Sequence, residues 1–206
     1  MPTKRAYDSP LREQAAARTR EAILRAATEL FGHRGYGLVT VADIAAAAGV
    51  SPKTVFASIG SKREILDQIV DAGVADSSAG EVMRRVLESQ SPKEVLGALA
   101  AGTRADKEAR LTLHEAIRLA LPVHEDGPAL WDRAYDGYRA ALRSAAVHLD
   151  TLDPRPRYEV QEVADLLWLW FGPNSWRTLV AETGWTWDRA ESTLVTSAFA
   201  TLYLTP

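Results

Sequence analysis

The chain has 206 residues, 47% of them hydrophobic, and a net charge of −3, which allows one large domain or two small ones of ordinary globular composition. It has no cysteine, which excludes disulfides, thiolate metal sites and thiol redox sensing and fits a reducing compartment. The charge is unevenly spread: residues 1–65 hold ten Lys and Arg against six Asp and Glu, and the rest of the chain carries a net −7. A basic head on an acidic body suits a head that meets a polyanion and a body that does not.

Residues 1 to about 9 read as an arm carrying Lys4 and Arg5, either a solvated tail or a contact to DNA backbone or minor groove. Ser9-Pro10 offers an early helix start, but clear helical periodicity begins near Arg18. Ile23, Ala26, Ala27, Leu30 and Phe31 form its apolar face, Gly35 is its expected end, and Arg18 and Arg20 flank the other side.

Residues 40–62 carry the densest local signals. Thr40 and Asp43 form a capping box, followed by Ile44, Ala45 and Ala48 on one face, and Gly49 supplies the left-handed C′ residue that ends a helix. Ser51 caps a second short helix with Pro52 at its first position; Val55 and Ile59 point inward and Gly60 stops it. A helix of about eight residues is unstable alone and must be held by tertiary packing. That leaves Lys53, Thr54 and Ala57 facing outward. Ser61 and Glu64 open a further helix. Its first turn holds Lys62 and Arg63, the wrong sign for a helix N-terminus unless these cations are simply solvated or bind a phosphate.

These residues, with Ala26-Ala27, Leu30-Phe31, Gly35-Tyr36, Ile44-Ala45, Ala48-Gly49-Val50-Ser51, Thr54-Val55-Phe56 and Ser61-Lys62 followed by Ile65-Leu66, resemble the DNA-binding domain of the TetR family of transcriptional repressors over roughly residues 18–66. The family usually has tyrosine where this chain has Phe56, and a Tyr/His–Phe pair where it has Ser58-Ile59. Phe56 has no hydroxyl to offer a phosphate, and Ile59 keeps the apolar anchor. A helix-turn-helix reads base edges in the major groove with the N-terminal residues of its second helix. The DNA-binding candidates are therefore Ser51, Pro52, Lys53, Thr54 and Ala57 at base edges, Thr40 and Lys62 at phosphates, and Phe56 in the core or against sugar and methyl groups.

Beyond the head, helical periodicity runs from Glu64 through Ile65, Leu66, Ile69 and Val70 to about Leu87, with Gly73 and residues 76–80 expected to bend it. Ser91-Pro92 with Glu94 starts another helix, and the pattern breaks near Gly102 to Asp106. A helix with Leu113, Ile117, Ala120 and Leu121 ends at Pro122, and Gly127-Pro128 opens the next, with Leu130, Trp131, Tyr135, Tyr138 and Leu142 on one side. After a loop at 150–156, residues 163–171 are apolar nearly all round, which demands burial on two faces: the chain's own core and a second subunit. Gly172-Pro173 breaks that helix. The last one, starting near Thr186, carries Leu194, Val195, Ala198, Phe199 and Leu202 beside the small residues Thr193, Ser197 and Thr201.

The expected fold is all-α, about nine or ten helices. A three-helix DNA-binding head at residues 10–62 (helix-turn-helix about 40–60) precedes a helical ligand-binding and dimerisation body at 63–206. The resemblance implies a homodimer through the last two helices, a double-stranded DNA operator and a small-molecule effector held in the body. On helix faces, the effector-lining candidates are Leu113, His114, Ile117, Trp131, Tyr135, Trp168 and Phe171. All six tryptophans lie after residue 130, as core and interface residues or as walls of an apolar or aromatic ligand site. Arg110, His114 and Arg118 share a face that is either solvated or able to orient an anion. No catalytic, metal or cofactor motif is present: the four histidines lack HxH or HExxH spacing, and there is no GxSxG, P-loop or GxGxxG. No segment reads as a leader or a membrane span, so a cytoplasmic protein is expected. The residues leave open a helical protein-interaction module and a DNA-binding regulator without an inducer.

Overall fold

The computed structural model describes residues 10–75 and 78–204, so the arm with Lys4 and Arg5, and Asp76-Ser77 of the expected bend, lie outside the described residues. The helices are α1 (Pro10–Arg34), α2 (Val41–Ala47), α3 (Pro52–Ser58), α4 (Lys62–Ala75), α5 (Ala79–Glu88), α6 (Pro92–Ala109), α7 (Leu111–Ala120), α8 (Gly127–Thr151), α9 (Val160–Phe171), the short α10 (Pro173–Trp176) and α11 (Trp187–Tyr203). A 3₁₀ turn at Tyr36–Leu38 precedes α2, and a π turn at Arg177–Glu182 follows α10. No strand occurs among the described residues, and the fold is all-α as expected. None of these helices is long and apolar enough to cross a membrane.

The chain divides into two compact units. One runs to Gly73 and takes in Glu115–Trp131; the other holds Val74–His114 and the residues from Asp132 onward. The sequence placed the boundary at 62/63, but Ile65, Leu66, Ile69 and Val70 of α4 are all buried, so this helix supplies core to the first unit.

In the first unit α1 packs on α2 and α3. Ile23, Ala27, Phe31, Ile44 and Val55 are fully buried, each large side chain among them contributing about 1.5–3 kcal/mol of burial. α1 begins at Pro10 rather than Arg18: residues 12–18 are exposed, so this first stretch is helical without an apolar face to reveal it. The turn into α3 is a Schellman motif. Gly49 sits at φ 69, its N–H donates to Ala46 O at 3.2 Å, and Val50 N–H donates to Ala45 O at 3.0 Å.

In the second unit α6 packs against α5 and α11, and α9 against α11. Its core joins Val86, Leu96, Leu99, Leu142, Leu149, Leu167, Phe171 and Leu202. The break expected at 102–106 does not occur, and α6 continues to Ala109. Gly102 is a contact residue: a Cβ there would stand 2.5 Å from both Val82 methyls on α5, so glycine is what lets the two helices approach. α9 starts at Val160, later than the expected Arg157, with Glu159 and Glu162 forming its capping box.

Candidate functional site

Both helices of the helix-turn-helix are capped at their N-termini by their own side chains. Thr40 N–H donates to Asp43 Oδ2 at 2.8 Å, and Asp43 N–H donates back to Thr40 Oγ1 at 3.1 Å. The Thr40 hydroxyl also donates to Asp43 Oδ2 at 2.7 Å, so its single proton is committed inside the cap. These bonds hold the Asp43 carboxyl below its usual range, with Arg34 adding a weaker pull at 3.7 Å. Ser51 Oγ accepts from Thr54 N–H at 3.1 Å, with Thr54 Oγ1 2.9 Å away. At the far end, Arg20 Nη1 donates to Ser58 O at 3.1 Å and satisfies one of the carbonyls that a helix C-terminus leaves open.

On this frame, Val55 is fully buried while Ser51, Pro52, Lys53, Phe56 and Ala57 are exposed and Thr54 is half-buried. Lys53 makes no hydrogen bond or ion pair with any described residue. Phe56 is 55% exposed and Leu38, in the turn before α2, is 76% exposed. Phe56 therefore does not belong to the core.

Lys62 departs from the expected phosphate role. Its Nζ donates to Tyr36 O and Val39 O, both at 2.9 Å, and lies 4.3 Å from the Tyr36 ring centre. The cation in the first turn of α4 thus serves carbonyls of the preceding turn rather than the solvent face. Tyr36 is itself packed between Phe31 (5.1 Å) and His124 (5.7 Å), and burial raises its hydroxyl pKa. The loop after α7 also reaches Arg63, whose Nη1 lies 2.7 Å from Glu125. A Cβ at Gly37 would stand 3.5 Å from Val123 Cγ2.

Of the effector-lining candidates, the second unit brings together His114, Tyr135 and Trp168. The His114 and Tyr135 rings stack at 6.2 Å, with His114 Nδ1 3.1 Å from Tyr135 Oη, and Trp168 meets Tyr135 edge-on at 5.9 Å. Leu113 is half-buried, and Phe171 is fully buried in the core, where its carbonyl accepts from Tyr138 Oη at 2.6 Å. Ile117 and Trp131 belong to the first unit, Ile117 buried and Trp131 half-buried. Two residues in this cluster escaped the sequence reading. Asp106 accepts from Lys107 Nζ at 2.6 Å, lies 3.0 Å from His114 Nε2 and pairs with Arg110. Lys107 is only 4% exposed and sits 5.2 Å from the Tyr138 ring centre. Burial pushes its ammonium pKa down to about 7. The expected basic face is therefore divided: Arg110 and His114 turn to Asp106, while Arg118 pairs with Glu115 at 2.7 Å in the first unit. No group of three or more His, Cys, Asp or Glu able to hold a metal occurs among the described residues.

Residues 23–69 match the family described as bacterial regulatory proteins, tetR family. The HTH-type transcriptional repressor Rv3405c of Mycobacterium tuberculosis and the HTH-type transcriptional regulator Mb3439c of Mycobacterium bovis are each 34% identical to this chain over 85 residues, which is 41% of this chain. The match spans 40% of the length of those relatives. Among solved structures, the TetR family regulator PfmR from Thermus thermophilus superposes with TM-score 0.63 at 23% identity, covering 91% of this chain and 97% of that one. The regulator FadR from Bacillus subtilis, solved in complex with stearoyl-CoA, gives 0.70 at 14% identity, covering 89% and 99%. At such identities the likeness speaks for the fold. The sequence matches fall on the capped helix-turn-helix, and over these residues the chain matches the tetR family of bacterial regulatory proteins.

Proposed function

We propose that the protein is a homodimeric repressor that reads a palindromic operator with α3 and is released from it by a small apolar or aromatic ligand held in the second unit. The observation that carries the reading is the outward face of α3. Lys53 and Ala57 are exposed on a helix whose N-terminus is locked by Ser51, whose middle is anchored by Val55 and whose C-terminus is tied to Arg20. A helix held this rigidly keeps its side chains in register with base edges, where Lys53 suits guanine O6 and N7 and Thr54 suits a thymine methyl. Ser51 and Pro52 take the helix end nearest the bases. Thr40 serves by capping α2, so that backbone N–H groups rather than its hydroxyl face the phosphates. Lys62 serves as a clamp behind the reading helix.

One α3 reads too few base pairs to address a genome, and a two-fold dimer doubles the site. α9 and α11 pack on each other, with Leu167, Phe171, Leu194 and Leu202 buried in the common core, yet Leu169 is 61% exposed and Trp170, Val195 and Phe199 are half-buried. That remaining apolar face supports a dimer through these two helices. The Mycobacterium tuberculosis relative, named a repressor, supports the sign of regulation, and the acyl-CoA complex of the Bacillus subtilis protein supports a ligand in this fold. For release, ligand must prefer the state that does not bind DNA, and about 1.4 kcal/mol of such preference gives a tenfold loss of operator affinity. Movement of α4 carries that preference to the head. The contacts of Val123, His124 and Glu125 with the turn before α2 and with Arg63 give α7 a second lever on it.

Selection of bound duplexes from a random pool, with the mass of the complex measured in solution, tests this reading. It predicts a palindromic motif bound by two chains per half-site pair. No enriched motif at low or moderate salt would remove it.

A further inference from the structure

α3 exposes more apolar surface than its packing needs. Val55 alone anchors this seven-residue helix with a fully buried side chain, and Ile59, just past its end, is half-buried. Phe56 nevertheless keeps 55% of its surface in water, and Pro52, one turn earlier, is exposed as well. Residues three and four apart are neighbours on a helix surface, so Phe56 stands beside both Lys53 and Pro52 on the outward side of α3. Among the described residues no ring or cation stacks on Phe56. The backbone that carries it is fixed. Ile59 N–H and Gly60 N–H both donate to Val55 O, at 2.9 and 3.3 Å, and Arg20 Nη1 donates to Ser58 O at 3.1 Å.

A rigidly presented phenyl ring beside a base-reading lysine has few partners in a major groove. It has no donor or acceptor for the polar base edges, and no hydroxyl for a phosphate oxygen. The base edges display one apolar group there, the C5 methyl of thymine. The geometry points to Phe56 as the reader of that methyl at one position in each half-site, next to the base met by Lys53. This deepens the operator reading of α3, on which it rests, by naming the chemistry of a second specificity position. The methyl is recognised rather than the base, so 5-methylcytosine, which carries the same group on the same ring carbon, is an equivalent partner. The competing apolar surface is deoxyribose, which every nucleotide carries and which would make Phe56 a contact without sequence preference.

The test uses the full chain and the duplex selected from a random pool. Each thymine of the half-site is replaced in turn, in both half-sites, by deoxyuridine, which lacks only the methyl. Fluorescence anisotropy at one salt concentration reads the affinity of wild-type and Phe56→Ala protein. In the wild type, one such replacement should weaken binding by about threefold to fourfold per half-site, the usual effect of burying one methyl-sized group, and by about tenfold for the pair. Phe56→Ala should bind the thymine and uracil duplexes equally at that position, while methyls met by Thr54 or Ala57 keep their effect in the variant. With the same base pair changed to C·G, methylation of the cytosine should tighten wild-type binding and leave Phe56→Ala unmoved. The uracil series on the wild type decides the matter even where Phe56→Ala does not fold.

A half-site without thymine, a flat uracil series in the wild type, or uracil effects that all persist in Phe56→Ala would overturn the assignment. Uniform weakening by Phe56→Ala with no uracil effect would give the ring to deoxyribose instead. A pool that yields no motif would refute the operator reading and this assignment together, whereas a motif with a flat uracil series would refute this assignment alone.

Discussion

Replacing Lys62 by methionine keeps an apolar stem on α4 and removes two hydrogen bonds of 2.9 Å and a cation packed 4.3 Å from the Tyr36 ring. Hydrogen bonds from a charged donor contribute about 1.5–3 kcal/mol each, and the half-buried site puts these at the low end, so a loss of about 2–3 kcal/mol is expected. For a chain of this size that lowers the melting temperature by about 4–12 °C. Operator affinity should fall as well, because the turn carrying Tyr36 and Val39 leads directly into the cap of α2. The two roles open to Lys62 differ in their salt signature. A phosphate contact releases a counterion, so losing it flattens the plot of log affinity against log salt by about 0.9. A clamp releases none, and its loss shifts the line without changing the slope. Fluorescence anisotropy with a labelled operator at four salt concentrations, beside a thermal melt, reads both quantities. An unchanged melt with a slope reduced by about one would refute the clamp.

Other substitutions report on separate parts of the structure. Ser51→Ala removes the acceptor for Thr54 N–H and should cost about 1 kcal/mol in a denaturant melt, with weaker operator binding. Gly102→Ala forces a Cβ to within 2.5 Å of the Val82 methyls and should destabilise by about 1–3 kcal/mol, an effect that Val82→Ala in the same chain relieves. Lys107 also predicts a pH dependence of stability. Its folded pKa, near 7, lies below the ordinary value of 10.5, so between these two the unfolded chain holds the extra proton. Stability from this residue therefore rises with pH across about 7 to 10.5, with the full burial cost present below 7. Lys107→Met should flatten that rise, as melts at pH 6, 8 and 10 would show.

The head was readable because its signals are local. Thr40, Asp43, Gly49, Ser51 and Pro52 act within four residues of themselves, and the structure places their bonds where the spacing puts them. The contacts of Lys62 and Gly102 were not legible for the opposite reason. The partners of Lys62 are 23 and 26 residues away, and Gly102 is explained by Val82 on another helix, so neither is visible from neighbouring residues. Arg20 and Ser58 are similarly 38 residues apart. The Asp106 cluster was hidden by composition: a run of Asp, Lys, Glu and Arg looks solvated, and only the packing of the helix shows that Lys107 points inward. The spacing of Asp106, Arg110 and His114 by four held the one available clue, and it was read without its carboxylate. Of the aromatic candidates, His114, Tyr135 and Trp168 did share a face; Phe171, one turn on from Leu167 and equally apolar, is core.

The central claim is that α3 reads base edges with Lys53. The most direct measurement is the affinity of wild-type and Lys53→Ala protein for a selected operator and for its full set of single-base substitutions at one salt concentration. The account predicts that Lys53→Ala loses discrimination at one position in each half-site, worth about 1–3 kcal/mol there, and keeps the others. Uniform weakening across all the duplexes would make Lys53 a phosphate contact, and unchanged affinity throughout would remove α3 from the interface.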